Sequence, residues 1–327
     1  MIRRIFVSLL ATLCAVLSAS AQDAKLRVGV LRLASSAPVF IALDRGYFAE
    51  RKLAVELSFF DAAQPIALAV AAGDIDFGVT AFTGGLFNLA AKGGLKVVAG
   101  QSRDAPGYPL IAYLANPRAY EAALRRPQDT AGRRIGITQV GSSFHYSVGL
   151  LAEKYKFPLD KVELVPLQSM SNAAAALKGG RTDGALLPAT VALPLINAGE
   201  AQLLGWVGDE TPWQVGAVFG LPKVLADAGL VERFLEAYRA GTRDYHDQLL
   251  PAVKEGKASI PTALLIASIA RHTQQSADTV LTGLPFVDRD GRLDVASVRD
   301  QIRWYRERGF ADPGVTLENV VEGRFVR

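Results

Sequence analysis

The chain has 327 residues, 50% of them apolar, with 36 Lys and Arg against 32 Asp and Glu and a single cysteine. Such a chain is long and apolar enough to bury two cores. One cysteine excludes a disulfide framework, and cations spread along the chain rather than clustered argue against a nucleic-acid footprint.

The first residues carry an export signal in their pattern. Arg3-Arg4 form a positive start, 5–17 is a short apolar stretch, and Ala19-Ser20-Ala21 fits a small-residue cleavage site. The stretch is too short to span a bilayer. Cleavage near Ala21 would remove Cys14, leaving no thiol chemistry, and the loss of Arg3 and Arg4 would bring the formal charge from +4 to +2. The expected location is the periplasm.

Strands are predicted over 25–31, 55–60, 77–80 and 96–99, with helices over 38–45, 65–72 and 85–91 between them. Pro38 suits a helix start, and Gly46 and Gly73 suit helix ends. Pro106, Gly107 and Pro109 interrupt the alternation before a strand over 110–114. Asn116-Pro117 and Pro127 break the chain again. A second series then runs through strands 133–138, 162–166, 184–187 and 202–207 and helices 144–155, 172–178 and 191–198. A strand over 214–219 is expected to return beside 110–114, so that these two segments form the crossings between two units. The remainder is mostly helical, with helices over 224–250, 261–272 and 295–308. Asp288-Arg289-Asp290-Gly291 is a turn lacking the further oxygen ligands of a calcium loop.

The two series superpose without a gap at an offset of 107 residues. Val28 falls on Ile135, Ser35-Ser36 on Ser142-Ser143, Gly73 on Gly180, Asp76 on Asp183 and Thr83 on Thr190. Letters differ but architecture repeats, which points to two similar α/β lobes with a cleft between them. The expected boundaries are 1–21 for the signal, 22–108 plus 220–327 for lobe I and 109–219 for lobe II. The helical remainder lacks a counterpart in the repeat and is placed on lobe I.

Four segments at predicted strand ends carry short polar residues just before a helix. They supply Ser35 and Ser36; Thr80, Phe82 and Thr83; Ser142 and Ser143; Pro188 and Thr190. Ligands of open α/β sheets sit at such ends, and free N–H groups at helix starts suit negative oxygens. Each hydroxyl could equally cap its own helix. His145 follows the second serine pair and is a candidate contact. Phe82, Tyr108, Phe144 and Trp213 are aromatics near the expected cleft, Tyr108 fitting the core better. Asp61, Asp209-Glu210 and Arg103 are weaker candidates for charged contacts, while His246 and His272 read as surface residues. No spacing suggests a metal or cofactor.

Gly73-Asp74-Ile75-Asp76-Phe77-Gly78 ahead of Thr80 resembles the signature of periplasmic solute-binding proteins of the nitrate/sulfonate/taurine type, a family extending to pyrimidine-precursor binders. Arg45-Gly46-Tyr47-Phe48 is similar to its helix end, and Gly141-Ser142-Ser143-Phe144-His145 to its serine turn. Thr130-Ala131-Gly132-Arg133 resembles its entry to the second lobe, with threonine for leucine and arginine for lysine. Asp288–Leu293 with Trp304 and Gly309 resembles its C-terminal helix. The resemblance implies the two-lobe periplasmic-binding-protein type II fold and a monomeric, non-enzymatic receptor of an ABC importer. That receptor would close on a small molecule by hinge motion and dock on an inner-membrane permease. Sulfonate, carboxylate, nitrate and aromatic or pyrimidine ligands all remain open. An exported enzyme or a ligand sensor on the same fold is the alternative.

Overall fold

The structure is a computed structural model that describes residues 23–255 and 259–326. The export signal and Cys14 lie outside the described residues. Among the described residues no helix is long and apolar enough to cross a membrane.

The first series forms β1 (Ala24–Leu31), α1 (Ala37–Asp44), β2 (Leu53–Phe60), α2 (Ala63–Ala72), β3 (Phe77–Ala81), α3 (Gly84–Ala91) and β4 (Lys96–Gly100). A short strand β5 (Ser102–Asp104) leads to β6 (Ile111–Ala115). The second series is β7 (Arg134–Ile137), α4 (Ser143–Tyr155), β8 (Glu163–Pro166), α5 (Met170–Lys178), β9 (Gly184–Pro188), α6 (Ala189–Asn197) and β10 (Gln202–Trp206). The chain continues through β11 (Trp213–Gln214) and β12 (Gly216–Gly220) into α7 (Ala228–Asp244), α8 (Ile260–Thr273), β13 (Phe286–Val287) and α9 (Val295–Glu307).

These strands make two five-stranded sheets, ordered β2-β1-β3-β12-β4 and β10-β6-β9-β7-β8, and a small third sheet, β11-β5-β13. In the first large sheet β1 pairs parallel with β2 and β3, and β12 runs antiparallel to β3 and β4. In the second, β7 pairs parallel with β8 and β9, and β6 runs antiparallel to β9 and β10. The two sheets therefore share one plan.

The expectation that 214–219 pairs with 110–114 is wrong. β12 is inserted into the first sheet and β6 into the second. Both are apolar five-residue segments buried on both faces, which suits the middle of a covered sheet rather than a shared crossing. The edge strands β2, β8 and β10 are partly exposed. The crossings are β5 and β11 instead, paired antiparallel at Trp213 with Asp104 and Gln214 with Arg103. Phe219, the residue at which the second lobe was expected to end, lies in the first sheet.

The 107-residue offset reaches individual hydrogen bonds. Arg27 N donates to Asp76 Oδ2 at 2.7 Å, and Arg134 N donates to Asp183 Oδ2 at 2.9 Å. The Arg27 and Arg134 guanidinium groups reach the carbonyls of Gly73 and Gly180 at 3.2 and 3.3 Å. Both glycines close a helix at positive φ, 82° and 71°, where a side chain is strained.

The helical remainder does not rest on the first lobe alone. α7 does: Phe234 stacks on Phe77 at 4.0 Å, and Gly241 sits so close to α1 that a Cβ there would lie 2.1 Å from the Pro38 carbonyl. α9 instead bridges both lobes. Trp304 fills the space a side chain at Gly149 of α4 would occupy, while Tyr305 lies 5.6 Å from Phe87 of α3 and 5.7 Å from Tyr146 of α4. An amphipathic helix without a repeat counterpart still has to bury its apolar stripe, and that of α9 joins a core cluster that draws on both lobes. The single helix predicted over 224–250 is broken: Asp227 caps α7, and a π turn follows at Tyr245–Leu249. In the acidic turn, Asp288 Oδ1 accepts from the N–H groups of Asp290 and Arg292, both at 3.0 Å.

Candidate ligand-binding cavity

A cavity with about 620 Å3 of empty space, part of it open to solvent, lies between the two large sheets at the carboxyl ends of their strands. Its wall inherits the repeat. Leu31 and Thr138, Ser35 and Ser142, Ala63 and Met170, and Ala81 and Pro188 all line it, and each pair is related by the 107-residue offset. Each lobe contributes the same turns because in each the strands end at the cleft and the helices begin there.

Helix starts provide much of the polar surface. α2 has Ala62 at its N-cap with no side-chain cap, so its first-turn N–H groups are unclaimed by a capping side chain, and Ala62, Ala63 and Gln64 at this helix start line the cavity. Ser142 caps α4 by accepting from His145 N at 3.3 Å, and Ser143 and Phe144 follow it into the wall. Thr83 caps α3, accepting from Leu86 N at 2.9 Å while donating to Gln64 Oε1 at 2.5 Å. Gln101 Nε2 donates to the Ser35 carbonyl at 2.9 Å and pins that turn. Two hydroxyls in the wall are left over. Thr80 and Ser102 are each 1% exposed, and neither side-chain oxygen has a hydrogen-bond partner. Buried polar groups are ordinarily paired, so two orphan hydroxyls in one wall leave that wall with unused hydrogen-bonding capacity. None of the described residues lining the cavity carries a charge.

Six of the candidate residues from the sequence meet here: Ser35, Thr80, Thr83, Ser142, Ser143 and Pro188. Phe144 joins them. Four others do not line the cavity. Ser36 is fully buried behind Ser35, and its hydroxyl also lacks a partner. Phe82 is core, stacked on Phe87 at 5.3 Å. Thr190 is 2% exposed, packed near Gly283. The His145 ring turns away from the cleft into an aromatic nest, edge-on to Trp304 at 5.3 Å and to Phe310 at 4.8 Å. Its Nδ1 accepts from Gly141 N at 3.1 Å. Burial, reinforced by the Arg308 guanidinium, pushes its pKa down to about 4, so the ring is neutral at pH 7 and carries its proton on Nε2.

The weaker charged candidates are engaged elsewhere. Arg103 pairs with Asp294 at 2.7 Å, Asp209 accepts from Gly107 N at 2.8 Å, Glu210 pairs with Lys154 and Tyr155, and Asp61 is exposed. Tyr108 packs edge-on against Phe286 and Trp213 against Tyr146. His272 is partly buried at the surface: it stacks on Phe40 at 4.7 Å and faces Asp44. Sequence reasoning missed Gln64, Gln101, Ser102, Thr138, Gln139 and Met170. Shifting the end of the first strand, Leu31, by 107 residues would have found Thr138, and shifting the start of α2, Ala63, would have found Met170. Gln101 and Ser102 follow β4 directly, where no helix start advertises them.

The NMT1/THI5-like family profile matches residues 34–202, more than half of the chain and most of both repeats. The chain belongs to the NMT1/THI5-like family. No curated protein matches this family member significantly. Among solved structures it is similar to the alkanesulfonate-binding protein SsuA from Xanthomonas axonopodis pv. citri bound to MOPS, at 19% identity and TM-score 0.71, over 93% of this chain and 99% of that one. The periplasmic aliphatic sulphonate binding protein SsuA from Escherichia coli is similar at 16% identity and TM-score 0.70, over 91% and 92% of the two chains. The periplasmic nitrate-binding protein NrtA from Synechocystis PCC 6803 follows at 11% identity and TM-score 0.72, over 93% and 87%. At these identities the likeness establishes the fold, which is the two-lobe periplasmic-binding-protein fold.

Proposed function

We propose that this NMT1/THI5-like chain is the extracytoplasmic substrate-binding component of an ABC importer, capturing a small organic molecule between its lobes by closure. The observation that carries this reading is the partly open interlobe cavity whose wall holds two buried, unpartnered hydroxyls near a helix start without a side-chain cap. Such a wall recognises oxygen atoms and offers no reacting group. The cavity lining lacks a nucleophile–base pair or paired carboxylates, which favours a binder over an enzyme. The sulfonate- and nitrate-binding relatives of the same fold support the receptor role. The contacts we assign are Ser35, Thr80, Thr83, Ser142, Ser143 and Pro188, joined by Gln64, Gln101 and Ser102.

In this reading lobe I comprises the residues of the first sheet, including β12, and lobe II runs from β6 to β10, with β5 and β11 as the hinge. Ligand contacts come from both lobes, so ligand favours the closed arrangement. The closed form then docks on a membrane permease. A signal peptide cleaved near Ala21 delivers the mature, monomeric chain to the periplasm.

The test is calorimetry and thermal unfolding of the mature chain against a panel of small anions and heterocycles. A true ligand at about 100 times its Kd should stabilise the fold by about 2.7 kcal/mol and raise Tm by about 5 °C. A panel in which no compound shifts Tm or releases heat would sink the receptor role.

A further inference from the structure

The cavity wall is apolar over most of its area. Leu31, Leu33, Leu110, Ile111, Phe144 and Met170 make up much of it, and no charged side chain reaches it among the described residues. That combination selects on charge. An ammonium group on the ligand would lose its water and meet no carboxylate, a penalty that no hydroxyl repays. A bare inorganic anion would leave the apolar wall facing water and gain nothing from it. A sulfonate keeps its full charge wherever it goes. A carboxyl group does not have to, because burial in apolar surroundings raises its pKa and lets it take up a proton. The orphan hydroxyls of Thr80 and Ser102 suit both of its states, since a hydroxyl donates to a carboxylate and accepts from a carboxylic acid.

We propose that the cavity takes a small monocarboxylate with an apolar, amine-free body, aromatic or branched, whose carboxyl group meets Thr80 and Ser102. This rests on the receptor reading above and narrows it to one ligand class. Discrimination against amine-bearing analogues follows from the missing counter-charge, not from size.

The experiment is calorimetry on the mature chain with matched compounds. Benzoate is set against benzenesulfonate, 3-phenylpropanoate against phenylalanine, and 4-methylpentanoate against leucine, with taurine and nitrate alongside. At least one of the three carboxylates should bind. Its amine-bearing partner should bind about a hundredfold more weakly, and benzenesulfonate should bind about tenfold more weakly than benzoate. The Thr80→Val and Ser102→Ala variants should each weaken the carboxylate about tenfold, while Thr80→Ser retains binding. Unliganded Tm should not fall in either variant, because each removes a hydroxyl that has no partner. If taurine, nitrate or benzenesulfonate binds more tightly than every carboxylate, the ligand class is wrong and the receptor reading survives. If no small molecule binds at millimolar concentration, both fail.

Discussion

Two buried titratable residues illustrate how far a side chain's chemistry depends on neighbours that are distant in sequence. His145 follows a serine turn and looked like a ligand contact, but Trp304 and Phe310, more than 150 residues away, claim its ring. Its pKa of about 4 has a consequence for stability. The unfolded chain takes up a proton at this ring near pH 6.5 while the folded chain does not. Stability from this group is therefore complete above pH 6.5 and is lost as the pH falls toward 4, by up to about 3 kcal/mol. Urea unfolding of His145→Gln should show a shallower loss over that window than the parent. Asp104 behaves in the opposite sense. Its carboxyl is fully buried at the paired crossings, near the Trp213 indole and the amides of Gly208 and Ile111 without a well-formed hydrogen bond to any. Burial pushes its pKa up to about 8. The folded state thus holds a proton that the unfolded state has released, and stability declines as the pH rises from about 4 to about 8. Asp104→Asn stays neutral throughout, so it should be more stable than the parent at pH 8, with the advantage fading near pH 4. At this scale the sequence was a partial guide. Hydroxyls at strand ends were legible because local backbone geometry places them, whereas the fates of His145 and Thr190 were decided by tertiary packing.

At the scale of elements the duplication was the most readable signal. β3 and β9 start and stop 107 residues apart, and so nearly do α2 and α5. The reason is physical: short βα units with glycine-ended helices allow little variation in length. Asp76 and Asp183 anchor the corresponding corner in each lobe. Desolvation works against the Asp183 carboxylate, but the Arg134 side chain and amide hold its pKa below the usual range. Alanine at either aspartate should cost about 1–2 kcal/mol in chemical denaturation, by similar amounts in the two lobes. What could not be read was the destination of β6 and β12. Both are short apolar runs, and such a run does not disclose which sheet it enters. α9 was equally opaque, since its amphipathic stripe reveals that it packs but not on what.

Across the whole molecule the two lobes meet directly between the starts of α3 and α4. Gly84 N, at the start of α3, donates to the Gly141 carbonyl, ahead of α4, at 2.9 Å. Phe310 lies against both, with its carbonyl 2.6 Å from where a Cβ on Gly84 would stand, and Tyr305 donates to the Ser142 carbonyl at 3.0 Å. Neither Gly84 nor Phe310 lines the cavity. Gly84→Ala should therefore wedge the jaws apart and weaken any ligand about tenfold, about 1.4 kcal/mol, without touching it. Small-angle scattering should show the liganded variant remaining more expanded than the liganded parent.

The placement of β12 also imposes an order of assembly. Everything in the second sheet is encoded between Ile111 and Ala115 at one end and Gln202–Trp206 at the other, an uninterrupted stretch. The first sheet starts earlier, at Ala24, yet stays split between β3 and β4 until Gly216–Gly220 arrives to bridge them. The jaw begun first is thus finished last, because its keystone is the most sequence-remote strand and closing such a loop is slow. Pulsed hydrogen exchange during refolding should find amides of β7 and β9 protected before those of β4.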